Sequence, residues 1–181
     1  PYFPPLLDTL KPEEATDWIA EHFNLSASEG IGSDYRGALT VFVWEKDGRH
    51  FKLWFHNNQL FQLSMTTDGL TGSKIMECLG PPAFYIAEED LSPHDGFLVF
   101  LSFHYPEKGM RISTVTPREN YIGAETYFQS FTYGPAGSVE DNIRMRGLSG
   151  PNGPPTEDEI QAMVARLRPW PGRWKDIIVD P

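Results

Sequence analysis

Between residues 38 and 65 hydrophobic and polar side chains alternate with a period of two, and turn-forming pairs interrupt the alternation twice. Leu39-Thr-Val-Phe-Val-Trp-Glu45 runs into Asp47-Gly48, Arg49-His-Phe-Lys-Leu-Trp-Phe55 runs into Asn57-Asn58, and Gln59-Leu-Phe-Gln-Leu-Ser-Met65 follows. Such alternation predicts an antiparallel meander. A two-residue loop at Asp47-Gly48 places Trp44 opposite Phe51 and Phe42 opposite Leu53, which makes one face strongly apolar. At the second turn a two-residue loop would add Leu60, Gln62 and Ser64 to that face. A three-residue loop through His56, Asn57 and Asn58 would add Phe61, Leu63 and Met65 instead. Burial favours the three-residue loop, with Asn58 in the left-handed conformation that asparagine tolerates. The opposite face then carries Val41, Val43, His50, Lys52, Trp54, Leu60 and Gln62. That face is too apolar for ordinary solvated surface and too polar for core. Val41, Lys52, Trp54 and Leu60 are therefore candidate binding residues, unless a loop or the C-terminal segment covers them.

The remaining chain switches between helical and extended patterns. Lys11-Pro-Glu-Glu14 opens a helix near 12–23, with proline at its first position, acids in its first turn and an apolar stripe of Ala15, Trp18, Ile19 and Phe23. Thr71 caps a short helix over 71–79 that buries Ile75, Met76 and Leu79. Gly80 suits a left-handed residue after it, and Pro81-Pro82 forbid continuation. Strands follow through residues 83–133: a Pro93–Gly96 loop, the apolar run 97–103, a turn at 106–109, a return strand at 110–115 and an alternating last strand at 124–133. Glycine, proline, serine and asparagine dominate 134–155, which reads as a long loop. Thr156 and Glu159 form a capping box for a helix over 156–168, lined by Ile160, Met163, Val164 and Leu167 and stopped by Pro169. Trp170 and Trp174 are expected to pack back on the sheet, because two exposed tryptophans are unfavourable. The fold class is α+β, a mainly antiparallel sheet with these helices packed on it. The organisation is a Pro-rich extended segment at 1–10, an α+β domain at 11–133, the 134–155 loop, and a C-terminal helix and tail at 156–181. A helix precedes three strands in the first half and three or four in the second, a pattern that suggests duplication.

Gly69, Leu70, Thr71, Ile75, Leu79, Gly80 and Pro82, followed by a strand from 97 to 105, carry a resemblance. Over residues 66–115 the chain resembles small cell-envelope lipoproteins of the SmpA/OmlA outer-membrane-assembly type, and more loosely the β-lactamase-inhibitor-protein-like fold. The resemblance implies a noncatalytic, extracytoplasmic interaction module, an accessory subunit or lipoprotein of a cell-envelope assembly that binds a protein partner. It assigns no catalytic or ligand-binding residue, and the stretch between Pro82 and Phe97 is longer than that pattern has.

Composition narrows the choice. The chain has 181 residues, enough for one domain with its own core. Its net charge of -10, from 15 basic and 25 acidic side chains, argues against nucleic-acid binding, which needs clustered cations. Cys78 is the only cysteine, so an intramolecular disulfide and a cysteine zinc site are excluded. Its place in the short helix predicts a buried, apolar role rather than a reactive thiol. No apolar stretch is long enough to span a bilayer and none reads as a retained signal peptide. If a precursor ended in a lipid-modified cysteine just before Pro1, the proline-rich start would be a stiff membrane tether.

Phosphate loops, dinucleotide fingerprints, nucleophile elbows and His-Glu-x-x-His are all absent from the sequence. The histidines are His22, His50, His56, His94 and His104. His50 and His56 lie roughly 20 Å apart along an extended strand, too far for one metal ion. Asp90, His94 and Asp95, with Glu88 and Glu89 nearby, are the best acid-base or hard-cation group, against the simpler reading of a solvated acidic loop. Asn24-Leu-Ser26 fits a glycosylation acceptor. No cofactor is expected. The alternative to a protein-binding module is a carbohydrate- or small-ligand-binding module. A third possibility is an enzyme whose unrecognised site gathers His104, His94 or His50 with carboxylates.

Overall fold

In the computed structural model the alternating segments do form meanders, two of them, joined into one sheet. Residues 11–22, 31–35, 39–46, 48–57, 59–92, 96–118, 122–134, 136–147 and 155–181 are described. The first meander comprises β1 (Ile31–Tyr35), β2 (Leu39–Lys46), β3 (Arg49–His56) and β4 (Gln59–Thr71), and follows α1 (Pro12–His22). The second comprises β5 (Phe84–Ser92), β6 (Gly96–Tyr105), β7 (Met110–Pro117) and β8 (Tyr127–Tyr133), and follows α2 (Gly72–Leu79). β8 pairs with β4, so the sheet has nine strands in the order β1-β2-β3-β4-β8-β7-β6-β5-β9, all antiparallel, the last being the short β9 (Arg168–Pro169). Two further short helices, α3 (Val139–Gly147) and α4 (Glu157–Ala165), complete a molecule that is mostly sheet. Each half is thus one helix followed by a four-stranded meander.

The first turn pairs Lys46 with Arg49, Trp44 with Phe51 and Phe42 with Leu53. The second turn differs from the expected three-residue loop. His56 pairs with Gln59, the loop has two residues, and Asn57 takes a positive φ of 50°, while Asn58 lies outside the described residues. The apolar register is recovered by a β-bulge between Trp54 and Phe55. Phe55 faces Leu60 on the turn side of the bulge, and Leu53 and Phe51 face Leu63 and Met65 beyond it. A bulge inserts one unpaired residue, here Phe61, and so flips the alternation once. Leu60 consequently belongs to the core, 3% accessible, and not to the opposite face where the three-residue loop would have put it.

A continuous apolar row crosses the sheet from Trp44 through Phe51, Met65, Phe131, Ile112 and Phe103 to Tyr85. Ala15 of α1 and Ile75 of α2 are buried in the cluster this row belongs to, and Trp170 and Trp174 pack against it. The two tryptophans meet each other at 5.4 Å and Trp174 meets Phe103 at 5.4 Å. The tail is pinned further by the Ile178 amide, which donates to the Tyr85 hydroxyl at 3.0 Å, and by backbone bonds between Asp180 and both Ala87 and Glu89.

Helix ends follow their local chemistry, with four departures from expectation. Thr71 caps α2 by accepting from the Lys74 amide at 3.3 Å, and Thr156 and Glu159 form the capping box of α4. Gly80 closes α2 at φ 80°, ψ -177°, an extended mirror-image conformation and not the left-handed helical one. Cys78 is exposed, because Ile75, Met76 and Leu79 define an apolar stripe that Cys78 falls outside. Residues 134–155, read as loop, contain α3. Its first turn is capped by Ser138, whose hydroxyl accepts from the Asp141 amide at 3.1 Å and donates to the Asp141 carboxylate at 2.7 Å. The helix at 156–168 stops earlier, at Ala165, and the chain turns into β9. The 1–10 segment lies outside the described residues.

Gly72 begins α2 directly beneath Trp174, and a Cβ there would overlap the six-membered ring of the indole. Gly72→Ala should therefore destabilise the fold by about 1–3 kcal/mol and shift tryptophan emission. An unchanged denaturation midpoint would mean Trp174 is not seated there. Gly80→Val has open space around it, yet should lose about 1–3 kcal/mol through backbone strain alone, read as a lower melting temperature.

Candidate functional site

The side of the sheet opposite the aromatic row is built from short polar side chains. Lys52, Ser64, Thr132, Arg111 and His104 are successive cross-strand partners on it, and Ser130, Ser113 and Ser102 form the neighbouring row. Much of this polar layer is buried: Gln62, Ser102, His104, Ser113 and Thr132 are each less than a tenth accessible. Such burial requires a roof. α3 and α4 supply it with Ile143 and Met163, which line the same pocket as the polar residues, and the two helices are tied by an Arg144–Glu157 ion pair at 2.9 Å.

Between roof and sheet lies a pocket of about 310 Å³. Gln62, Ser102, His104 and Arg111 contribute its polar side; Ile86, Phe100, Ile143, Met163 and Leu167 contribute apolar walls. Glu88 and Arg166 also line it, joined by a bidentate ion pair between β5 and the end of α4. The hydrogen bonds to Glu88 push the Arg166 guanidinium above its ordinary range.

Two polar atoms in the pocket residues are left over. Gln62 donates from Nε2 to Ser64 Oγ at 3.0 Å, but its Oε1 is buried without a partner. Arg111 Nε is likewise buried without a partner, and no ion pair holds the side chain among the described residues. Burial pushes the Arg111 guanidinium below its usual range, although an arginine keeps its charge in any protein setting. Interior polar groups are normally satisfied, so both atoms require an explanation.

Ser102 Oγ and His104 Nε2 lie 2.9 Å apart, the one nucleophile–base geometry among the described pocket residues. Both sit two residues apart on β6, whose residues 102 and 104 are paired on both sides by β5 and β7. The amides there are committed to the ladder, leaving no free pair of N–H groups for an oxyanion. Tyr133 and Tyr105 lie in the core on the other face, and burial raises both phenols, Tyr133 to about 12.

Of the residues the sequence singled out, Val41, Lys52 and Trp54 do share the second face. Val41 pairs with Trp54 and Trp54 with Gln62 in one row, so that row runs into the pocket. Val41 is buried, Trp54 half-buried and Lys52 exposed. Leu60 does not join them. The C-terminal tryptophans, an expected alternative cover for this face, pack on the opposite one. His94 and Asp95 lie outside the described residues, and His50 sits 3.7 Å from Glu45 on the exposed end of β3. Arg111 went unremarked in the sequence, although it stands between Met110 and Ile112, both buried, and so has to point to the other face.

Among the described residues no group of histidine, cysteine or carboxylate side chains is placed to hold a metal ion, and no helix is long and apolar enough to cross a membrane. No protein-family profile, characterised protein or solved structure matches the chain.

A guanidinium whose Nε is buried without a partner is a burden on the unliganded fold. Arg111→Met should therefore raise the melting temperature of the free protein, with about 1 kcal/mol corresponding to about 2–4 °C at this chain length. A fall would show that Arg111 holds the structure together instead.

Proposed function

We propose that the chain is a noncatalytic binding module that takes a small ligand in the pocket between the polar sheet face and α3–α4. The observation that carries this reading is the pair of buried, unpartnered polar atoms, Arg111 Nε and Gln62 Oε1, on two pocket-lining residues. Native interiors keep such groups where a ligand completes them. The Ser102–His104 pair serves as a hydrogen-bonded floor in this reading, since its strand setting supplies no oxyanion donors.

A second reading rests on the outer part of the same face. Exposed Lys52 and half-buried Trp54, beside Val41, suit a protein contact centred on an aromatic anchor. The two helix-plus-meander halves support the inhibitor-protein-like resemblance, and with it the proposal of an accessory subunit or lipoprotein of a cell-envelope assembly. The extracytoplasmic setting and a lipid tether rest on that resemblance alone.

The two readings separate experimentally. In a thermal-shift survey of small organic molecules, compounds that stabilise the parent protein should lose about tenfold or more in affinity for Met163→Trp, which fills the pocket from α4. Trp54→Ala should leave them unaffected. If Met163→Trp binds equally well while Trp54→Ala loses a protein partner by about 2 kcal/mol or more, the outer face is the functional one.

A further inference from the structure

Resting on the pocket reading above, we infer that the ligand is an aliphatic monocarboxylate carrying a hydrogen-bond donor away from its carboxylate, the carboxylate on Arg111 and the donor on Gln62.

The charge follows from which cations are already engaged. Arg49, Arg118, Arg144, Arg166, Arg168 and Arg173 each hold a carboxylate of the protein. Arg111 holds none among the described residues, although the chain is acidic overall at -10 and has carboxylates to spare. A planar guanidinium selects a carboxylate or a phosphate as its partner. The other guanidinium at the pocket, that of Arg166, is occupied by Glu88. Arg111 is the one guanidinium among the described pocket residues without a protein carboxylate, and a single positive charge favours a monocarboxylate over a phosphate dianion. The walls agree, because Ile86, Ile143, Met163 and Leu167 offer aliphatic contacts that an inorganic anion would leave unused.

The second polar group follows from Gln62. Its Oε1 is an acceptor, so the matching ligand atom must donate. A hydroxyl fits better than an ammonium: among the described residues the one carboxylate lining the pocket, Glu88, is engaged by Arg166, which leaves no countercharge there for a ligand cation. Gln62 lies on β4 and Arg111 on β7, with β8 between them. Two inter-strand spacings set their backbones about 10 Å apart across the sheet. The donor therefore belongs toward the far end of the frame and not next to the carboxylate. A pocket of about 310 Å³ is at the small end for ligand sites and suits a short chain.

The test is isothermal titration calorimetry of the full chain with hexanoate, 6-hydroxyhexanoate, hexanamide and inorganic phosphate. The carboxylates should bind, 6-hydroxyhexanoate most tightly, and hexanamide should be weaker than hexanoate by about tenfold or more, as for loss of a charge-assisted hydrogen bond. Arg111→Gln should erase the difference between hexanoate and hexanamide, while Arg111→Lys should keep it in part, and circular dichroism establishes that each variant is folded. Gln62→Leu should erase the advantage of 6-hydroxyhexanoate over hexanoate. Hexanamide binding as tightly as hexanoate, or an Arg111→Gln variant with the parent's preference, would overturn the anion assignment and leave the pocket reading standing. Phosphate binding as tightly as hexanoate would overturn the organic frame, and a hydroxyl advantage that survives Gln62→Leu would overturn the second anchor. If none of the four binds, the monocarboxylate assignment falls, while the pocket reading stands or falls on the thermal-shift survey with Met163→Trp.

Discussion

The pairing of β4 with β8 is the contact on which the rest of the molecule depends. It converts two separate meanders into one sheet, aligning Met65 with Phe131 on one face and Ser64 with Thr132 on the other. Without it neither the aromatic row from Trp44 to Tyr85 nor the polar row from Lys52 to His104 would be continuous. It is also what brings Gln62, from the first half, into the same pocket as Arg111 and His104, from the second. The pairing tolerates an irregularity between Thr66 and Leu70, and Gly69 takes a positive φ of 93° within it. A register change at this seam would move every side chain of one half to the wrong face, because the period of a strand is two.

The two faces then solve different problems. The aromatic face is conventional core, closed by α1, α2 and the C-terminal tryptophans, and it accounts for stability through apolar burial. The polar face is covered by α3 and α4 although its buried serines, threonine, histidine and glutamine gain little from leaving water. A chain selected for stability alone would place apolar side chains under a helical roof. The unpartnered Arg111 Nε and Gln62 Oε1 beside this layer are the atoms that the proposed ligand would complete, offsetting the local cost they impose on the free protein.

How far this was legible in the sequence can be argued residue by residue. The meander, the Asp47-Gly48 turn, the caps at Thr71 and Thr156 and the candidate face holding Val41, Lys52 and Trp54 all follow from local rules of spacing and turn chemistry. The bulge at Trp54/Phe55 did not, because two turn lengths with opposite registers were each half right: Leu60 is buried as the two-residue loop requires, Leu63 and Met65 as the three-residue loop requires. α3 was masked by the glycine and proline around it. The pocket was hidden for a different reason. The run at 97–103 is apolar except for Ser102, which with the following His104 lies on the polar side. Only long-range pairing places Arg111 beside them and Gln62 across the neighbouring strand.

The halves share a plan of one helix and four strands but are finished differently. On the second half the C-terminal tail closes the aromatic face through Trp170, Trp174 and β9, and α3 and α4 roof the polar side. On the first half Lys52 stays exposed on β3 while Trp54, one row along, is half-buried next to the pocket residue Gln62. Because Val41, Trp54 and Gln62 form a single cross-strand row, a ligand held by Gln62 and a contact made at Trp54 would bear on adjacent side chains of the same strands. Neighbouring side chains on one sheet face pack as a unit. Occupancy of the pocket and a contact on the outer face would therefore act on one packed row of side chains.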